Sequence, residues 1–232
     1  MSERIRWLDG WRGLACWLMV GYHLFFDCVM FGWLPENATG WWPVYLTQRF
    51  IALSFIFLCG VSARFTRSNL RRGFVTLVAG CLVQAAAELV GAPIRFGILQ
   101  FLGCAMLFWH FLGRYADRVP ERAAPWLWAA LYIVTRIVAY GVTVGPRWLY
   151  PLGLRPRGFV SYDWVPFFPN IFMFFLGTWF GKRLLAAPAD SRLRTMGAPR
   201  ALEWTGRRTL LIYLVHQPVL YSACWAVDRF LT

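Results

Sequence analysis

The sequence predicts an all-α integral membrane protein, a polytopic helix bundle with about seven transmembrane helices. Three observations lead to this fold class. Hydrophobic residues make up 59% of the 232 positions and charged residues only 15%, which is too apolar for a soluble domain. The apolar residues are gathered into segments about as long as a helix needs to cross a ~30 Å hydrocarbon core. Arginines and prolines collect in the short connections between these segments.

Seven apolar segments are expected to form the helices, and the first connection is bracketed by Pro35 and Pro43. Pro120 and Pro125 bracket the fourth connection, where the fixed φ of proline and its missing N–H favour the end of a helix. The length allows one compact membrane domain, so a single transmembrane domain over residues 1–232 is predicted. The predicted spans are 9–33, 44–63, 73–91, 96–113, 125–144, 164–181 and 209–231.

The distribution of Lys and Arg predicts the orientation. Seventeen basic residues fall on the side of the N-terminus, six fall on the other side, and Arg136 lies within the fifth span. Because basic residues are enriched in cytoplasmic loops, the N-terminus is expected in the cytoplasm and the C-terminus outside. The six on the outer side are Arg49, Arg95, Arg147, Arg155, Arg157 and Arg229.

Charge and cysteine usage exclude several other classes of protein. The net charge of +13 comes from basic residues placed between apolar spans, so membrane topology explains it better than nucleic-acid binding does. The six cysteines all fall in apolar spans and form no C-x-x-C pair. They are therefore interpreted as buried apolar residues, with neither a metal site nor a disulfide framework expected.

The first span carries the ionisable residues from which a functional site is predicted. Arg12 and His23 are eleven residues apart, close to three helical turns, so they share one face at ~16 Å of axial separation. Asp27 lies one turn beyond His23, near enough to orient or charge the imidazole. A snorkelling arginine with a core histidine is the structural alternative. Ionisable groups inside a span are costly and usually functional, which favours a site.

Further polar residues lie within other spans, most of them toward the outer side, with Arg136 about midway along the fifth. Each of them could be a helix-end group or a structural pair, but together they predict a polar cavity open to the outside at the level of His23 and Asp27. His216, about two turns inside the last span, fits a core hydrogen bond and a site role equally well. The other residues of this set are Gln84, Glu88, Arg95, Gln100, Arg136, Asp163 and Asn170.

The first span resembles the Arg-x10-His signature of the acyltransferase-3 membrane acyltransferases, in the form Leu8-Asp-Gly-x-Arg12-Gly-x-Ala15 followed by His23. More closely, the whole chain is similar to small bacterial relatives of heparan-α-glucosaminide N-acetyltransferase. That resemblance implies transfer of an acyl group, chiefly acetyl, from cytoplasmic acyl-CoA to a sugar hydroxyl or amine outside. The stretches that carry it are Phe55–Ser62, Arg95–Gly103, Tyr162–Asn170 and Tyr213–Pro218.

The resemblance and the residue chemistry together assign roles. Arg12 is expected to bind the donor's phosphates through its planar fork, and His23 to act as general base with Asp27 assisting. Direct transfer and an acyl-histidine intermediate are both open. Arg64, Arg71 and Arg72 would add electrostatic capture of the nucleotide, although a role as topology determinants explains them equally well. The predicted substrate-binding residues are Glu88, Arg95, Gln100, Arg136, Asp163 and His216.

The predicted enzyme is thus a transmembrane acyltransferase of the bacterial cytoplasmic (inner) membrane that modifies a glycan. Its expected partners are the lipid bilayer, acyl-CoA and the external acceptor, and a homodimer is left open. No metal is expected. Two rival functions remain: a b-type haem protein with His23 and His216 as axial ligands, and a transporter that uses the polar cavity without covalent chemistry.

Overall fold

The computed structural model describes residues 5–144 and 146–231. It is 76% helical, and the all-α prediction is confirmed. Seven long helices lie at the seven predicted positions, and two short helices, α7 and α8, precede the last of them. The bounds are α1 Arg6–Met30, α2 Trp42–Ala63, α3 Asn69–Leu89, α4 Ile98–Ala116, α5 Ala124–Gly141, α6 Phe167–Ala186, α7 Arg192–Thr195, α8 Arg200–Arg207 and α9 Thr209–Leu231.

Four of the helices in the described part of the chain, α1, α2, α3 and α9, are long and apolar enough to cross a membrane. This identifies an integral membrane protein. The helices α4, α5 and α6 lie where spans were predicted, and their crossing of the membrane stays a prediction. The orientation of the termini also stays a prediction.

Local sequence signals explain where two of the helices begin. The Ser68 hydroxyl accepts a hydrogen bond from the Arg71 backbone N–H at 3.2 Å, so α3 begins four residues earlier than the apolar pattern predicts. Pro166 is extended at the start of α6, which therefore begins at Phe167, after the predicted position. One feature was not predicted from sequence. Two residues of β1, Thr143–Val144, pair in parallel with two of β2, Arg155–Pro156.

The chain divides into two compact units. The first comprises Met1–Phe55 and Pro188–Thr232, and within it α1 packs against both α8 and α9. Close approach of α1 and α8 depends on glycine. A Cβ on Gly13 would lie 2.0 Å from the Leu202 carbonyl oxygen, and one on Gly206 would lie 1.8 Å from that of Asp9. The backbones of the two helices are therefore in direct contact.

The second unit comprises Ile56–Ala187, with α3 packed on α4 and α5 on α6. The end of α2 crosses α6 at two glycines. A Cβ on Gly60 would lie 2.1 Å from the Phe174 carbonyl oxygen, and one on Gly177 would lie 2.1 Å from that of Phe57. Phe101 and Phe174 are fully buried in this unit. The single domain predicted over residues 1–232 stays a prediction.

Candidate active site

The first unit brings together two histidines from opposite ends of the chain. His23 lies on α1 and His216 on α9, and their ring centroids are 4.8 Å apart with the planes at 64°. His216 is 8% exposed and His23 is half-buried. Because α1 and α9 pack together in this unit, the last span contributes directly to the surroundings of the predicted general base.

The hydrogen bonds of His216 determine its tautomer. Nδ1 lies 2.7 Å from the Tyr213 carbonyl oxygen and 3.2 Å from that of Ile212. A carbonyl oxygen only accepts, so Nδ1 carries the proton, and Nε2 of the neutral ring presents a lone pair. Nε2 is buried, and within the described residues it has no hydrogen-bond partner. His216 thus places an unused acceptor on the ring that touches His23.

Asp27 is fully buried on the same face of α1. Its Oδ1 accepts a hydrogen bond from the Gln217 Nε2 at 2.8 Å. Gln217 was not singled out from the sequence, although it follows His216 within the Tyr213–Pro218 stretch. Adjacent polar residues in an otherwise apolar span were the signal that could have identified it. The two pairs, His23 with His216 and Asp27 with Gln217, connect one turn of α1 to one segment of α9.

Arg12 is held by an ion pair at the other end of α1. Its Nη1 donates to Asp9 Oδ1 at 2.7 Å, and Arg207 Nε of α8 lies 3.7 Å from Asp9 Oδ2. Asp9 is 4% exposed, whereas the Arg12 side chain is 22% exposed. A buried carboxylate therefore fixes a guanidinium that still reaches the surface. The sequence indicated Arg12 but not the role of Asp9, three residues before it.

The α8 helix adds a second buried carboxylate to this cluster. Glu203 is 4% exposed and accepts from Arg6 Nε at 2.8 Å and from Arg207 Nη2 at 3.4 Å. Its Oε1 also accepts from the Ala198 backbone N–H. Three arginines therefore surround two carboxylates, which leaves the cluster with a net positive charge that suits an anionic ligand. Neither Glu203 nor Arg207 was predicted as a site residue.

In the second unit, Arg64 is engaged by protein groups. Both of its terminal nitrogens donate to the carboxylate of Asp117, one of them at 2.8 Å, and its Nε donates to the Thr178 carbonyl oxygen at 3.1 Å. Its guanidinium lies 4.5 Å from the centroid of the Trp109 ring. Arg71 and Arg72 are exposed in the first turn of α3. Nucleotide binding by these three arginines stays a prediction.

Polar residues of α3 form two pairs in the second unit, one with α4 and one with the segment that precedes α4. Gln100 Nε2 donates to Gln84 Oε1 at 2.5 Å, and Gln100 Oε1 accepts from the Gly97 backbone N–H at 2.7 Å. Arg95 forms an ion pair with Glu88 at 2.5 Å. These contacts satisfy the groups within the unit. The cavity predicted to include them, and their substrate-binding role, stay predictions.

Two other predicted residues lie elsewhere in the second unit. The Arg136 guanidinium lies 4.7 Å from the Tyr140 ring centroid on the same helix. Asp163 precedes α6, and its Oδ2 accepts from the Ile98 backbone N–H at 2.9 Å. Burial raises the pKa of Asp163 to about 6, although the hydrogen bond from Ile98 opposes this shift. Their roles in substrate binding also stay predictions.

A comparison with known protein families shows the family of the chain. The sequence model of the heparan-alpha-glucosaminide N-acetyltransferase catalytic family matches residues 4–218. The chain belongs to this family. The suspected resemblance is confirmed, and the family indicates a membrane N-acetyltransferase. No curated protein and no solved structure matches the chain.

The match to the N-acetyltransferase family extends from the start of α1 into α9. It includes Arg12, His23 and Asp27 of α1 and His216 and Gln217 of α9, so the residues that both helices contribute to the candidate site lie in the region that the family matches.

The haem alternative does not fit the geometry of the two histidines. An iron ligated by both His23 and His216 would stand between the rings, but at a centroid distance of 4.8 Å the rings are in direct contact.

Proposed function

We propose that this member of the N-acetyltransferase family transfers an acyl group, chiefly acetyl, from cytoplasmic acyl-CoA to an acceptor outside the membrane. The acceptor is a sugar hydroxyl or amine. The observation that carries the proposal is the contact between His23 and His216 inside the region that the family model matches. A transmembrane acyltransferase needs a group that can accept a proton at the reacting end, and a neutral imidazole does so near neutral pH.

In direct transfer, His23 takes the proton of the acceptor hydroxyl or amine. The acceptor's lone pair attacks the thioester carbonyl, and the tetrahedral intermediate then collapses to the new ester or amide. CoA leaves as a thiolate and takes the proton from the His23 imidazolium, so the base is regenerated. An acyl-histidine pathway would divide this into two steps, with a nitrogen of His23 as nucleophile.

His216 and Asp27 support the base in this proposal. His216 packs edge-on against His23, which restricts the orientation of the imidazole. Asp27 lies one turn beyond His23 and joins α1 to α9 through Gln217. The two contacts hold the reacting ring between two helices. Such fixed orientation of a catalytic group lowers the entropic cost of reaching the reactive geometry.

Arg12 binds the phosphates of the donor in this proposal. It lies ~16 Å from His23 along α1, roughly half of a ~30 Å core, and a pantetheine arm can span that separation. Asp9 holds the guanidinium of Arg12, and Arg207 adds a second positive group beside it. Guanidinium groups suit this task because their planar fork matches two phosphate oxygens.

The proposed setting is the bacterial inner membrane, with seven spans, a cytoplasmic N-terminus and an external C-terminus. Four helices of sufficient length and apolarity and the seventeen-to-six distribution of basic residues support it. The protein would act as a single transmembrane acyltransferase domain. Its oligomeric state, monomer or homodimer, is not part of the proposal.

The test uses the purified full-length protein in lipid nanodiscs with radiolabelled acetyl-CoA. An amino sugar and a neutral sugar serve as alternative acceptors, and the measurements are release of the CoA thiol and formation of a labelled product. We expect both to depend on the acceptor and to be lost in His23→Ala. The rival function is tested in proteoliposomes. Uptake of unmodified sugar without any acyl-CoA, together with no labelled product, would establish a transporter instead.

A further inference from the structure

The contact between Asp27 and Gln217 has two unsatisfied oxygens. Asp27 Oδ1 accepts from Gln217 Nε2, but Asp27 Oδ2 and Gln217 Oε1 are both buried, and in the described part of the chain neither has a hydrogen-bond partner. Both are acceptors when the carboxyl is ionised. Asp27 is fully buried, and no lysine, arginine or histidine among the described residues forms an ion pair with it.

An ionised carboxylate in this position would carry three costs. It would lose its hydration, it would lack a counter-ion, and it would leave two buried acceptors without a donor. One proton on Asp27 Oδ2 removes the charge. It also supplies the donor that Gln217 Oε1 lacks. A carboxylic acid and a primary amide are complementary in this way, since each has one donor and one acceptor side by side.

We propose that Asp27 holds a proton and forms with Gln217 a neutral, doubly hydrogen-bonded carboxylic acid–amide pair that joins α1 to α9. The carboxyl accepts from the Gln217 amide through Oδ1 and donates to its Oε1 through Oδ2. The pair is a proton-holding site beside the proposed general base. It is distinct from a carboxylate that would act on the imidazole by charge.

The groups around Asp27 are consistent with a neutral pair. Within about two helical turns of Asp27 on α1 or of Gln217 on α9, the titratable residues are histidines, cysteines and tyrosines, and none of them carries a fixed positive charge. Asp228 is half-buried and accepts from Trp33 Nε1 at 3.3 Å. On α1 and the elements packed against it, the titratable and charged side chains besides Asp27 are Arg6, Asp9, Arg12, Cys16, Tyr22, His23 and Cys28 of α1, Tyr213, His216, Tyr221, Cys224, Asp228 and Arg229 of α9, Glu36 of the 3-10 helix Glu36–Gly40, and Arg200, Glu203 and Arg207 of α8.

The neutral pair has a consequence for His23, and this part rests on the acyl-transfer function proposed above. A general base must be unprotonated to work, and a carboxylate one turn away would favour the imidazolium. A protonated Asp27 does not. It is therefore a positioning residue, which fixes α9 and His216 against His23 while leaving the imidazole in its active, neutral form.

The protonation is tested by infrared spectroscopy on the full-length protein in nanodiscs, with ¹³C-carboxyl-labelled aspartate. The carbonyl stretch of a protonated carboxyl is separate from the bands of an ionised one. At about pH 8, we expect the difference between wild type and Asp27→Asn to contain this band. The exposed Asp190→Asn serves as a matched control and should leave it in place. A difference spectrum with ionised-carboxylate bands alone would overturn the proposal.

Pairing with Gln217 is tested separately. In Gln217→Leu, the protonated-carboxyl band of Asp27 should move to higher frequency, because its hydrogen bonds to the amide are lost. A band that keeps its frequency would show that Asp27 does not pair with this amide. This variant retains Asp27, so the measurement remains decisive if Asp27→Asn fails to fold.

A kinetic measurement tests the positioning role. The acidic limb of the pH–rate profile should keep its midpoint in Asp27→Asn, whatever its turnover, because no charge has been removed. A midpoint displaced to lower pH would mean that wild-type Asp27 is ionised and favours the imidazolium. If no variant or wild-type protein shows acyl transfer, the proposed function fails, while the infrared result still decides whether Asp27 holds a proton.

Discussion

His216 lies edge-on to His23, with the ring centroids 4.8 Å apart and the Nδ1 proton of His216 directed to the Tyr213 carbonyl oxygen. This relationship ties the last long helix to the first. It makes His216 a neighbour of the proposed base, with an unprotonated nitrogen available. The two histidines therefore belong in one experiment.

Replacing His23 by alanine should abolish most of the acyl transfer. A general base contributes on the order of 10²–10⁴-fold in rate, so turnover should fall by about that factor while acyl-CoA still binds. His216→Ala should cost less, because it removes a supporting contact and leaves the base. Turnover and donor affinity are measured on the same preparations. Near-normal turnover in His23→Ala, together with a large loss in His216→Ala, would show that His216 on the last helix is the general base.

Arg12 should determine donor affinity. Loss of charge-assisted hydrogen bonds to phosphate should weaken acyl-CoA binding by about ten- to hundredfold in Arg12→Ala. Arg12→Lys should recover only part of this, since an ammonium lacks the bidentate fork, while it keeps a cation beside the buried Asp9. Binding is measured by calorimetry, with the exposed Arg229→Ala as control. Unchanged affinity in both Arg12 variants would limit Arg12 to a structural ion pair.

The contact between α1 and α8 should tolerate no side chain at Gly13. A Cβ there would lie 2.0 Å from the Leu202 carbonyl oxygen, so Gly13→Ala should destabilise the protein by about 1–3 kcal/mol. Gly21, on the same helix, has nothing within 4 Å of its Cβ position, and Gly21→Ala is the matched control. Thermal unfolding in detergent should separate the two. Equal melting temperatures would contradict the close helix contact.

Asp163 should make the stability of the protein depend on pH. Its pKa is raised by burial from 3.8 to about 6. The protonated form therefore stabilises the folded state, fully below pH 3.8, and this contribution is lost as the pH rises through about 6. Wild type should thus lose melting temperature relative to Asp163→Asn between about pH 4 and pH 7. Asp190→Asn, at an exposed site, should show no such trend. A constant difference across this range would contradict the burial effect.

The orientation of the chain is tested by reporter fusions. A cytoplasmic reporter at the N-terminus and an external one at the C-terminus are expected, from the distribution of basic residues and an odd number of spans. Both termini on one side would show that the number of spans is even. The fifth and sixth predicted spans would then be the first suspects, because α5 and α6, like α4, are not among the four helices of the described chain that meet the length and apolarity requirements.

The sequence by itself determined the helical membrane class, the positions of the seven long helices and the family. These depend on properties that are local along the chain. Apolar length and proline at the connections predict the helices, and the spacing of Arg12 and His23 places both on one face of α1. The sequence also indicated His23 and Asp27 as candidate site residues, since ionisable residues are unusual in an apolar span.

Only the tertiary structure decided which distant residues meet these groups. It joined His216 to His23, Gln217 to Asp27, and Arg207 to Asp9. No periodicity along α1 could predict these contacts, because the partners belong to α8 and α9. The close approach of α8 to α1 depends on Gly13 and Gly206. The unsatisfied oxygens of Asp27 and Gln217 likewise exist only once α1 and α9 pack and exclude water, and burial makes an ionised Asp27 unfavourable.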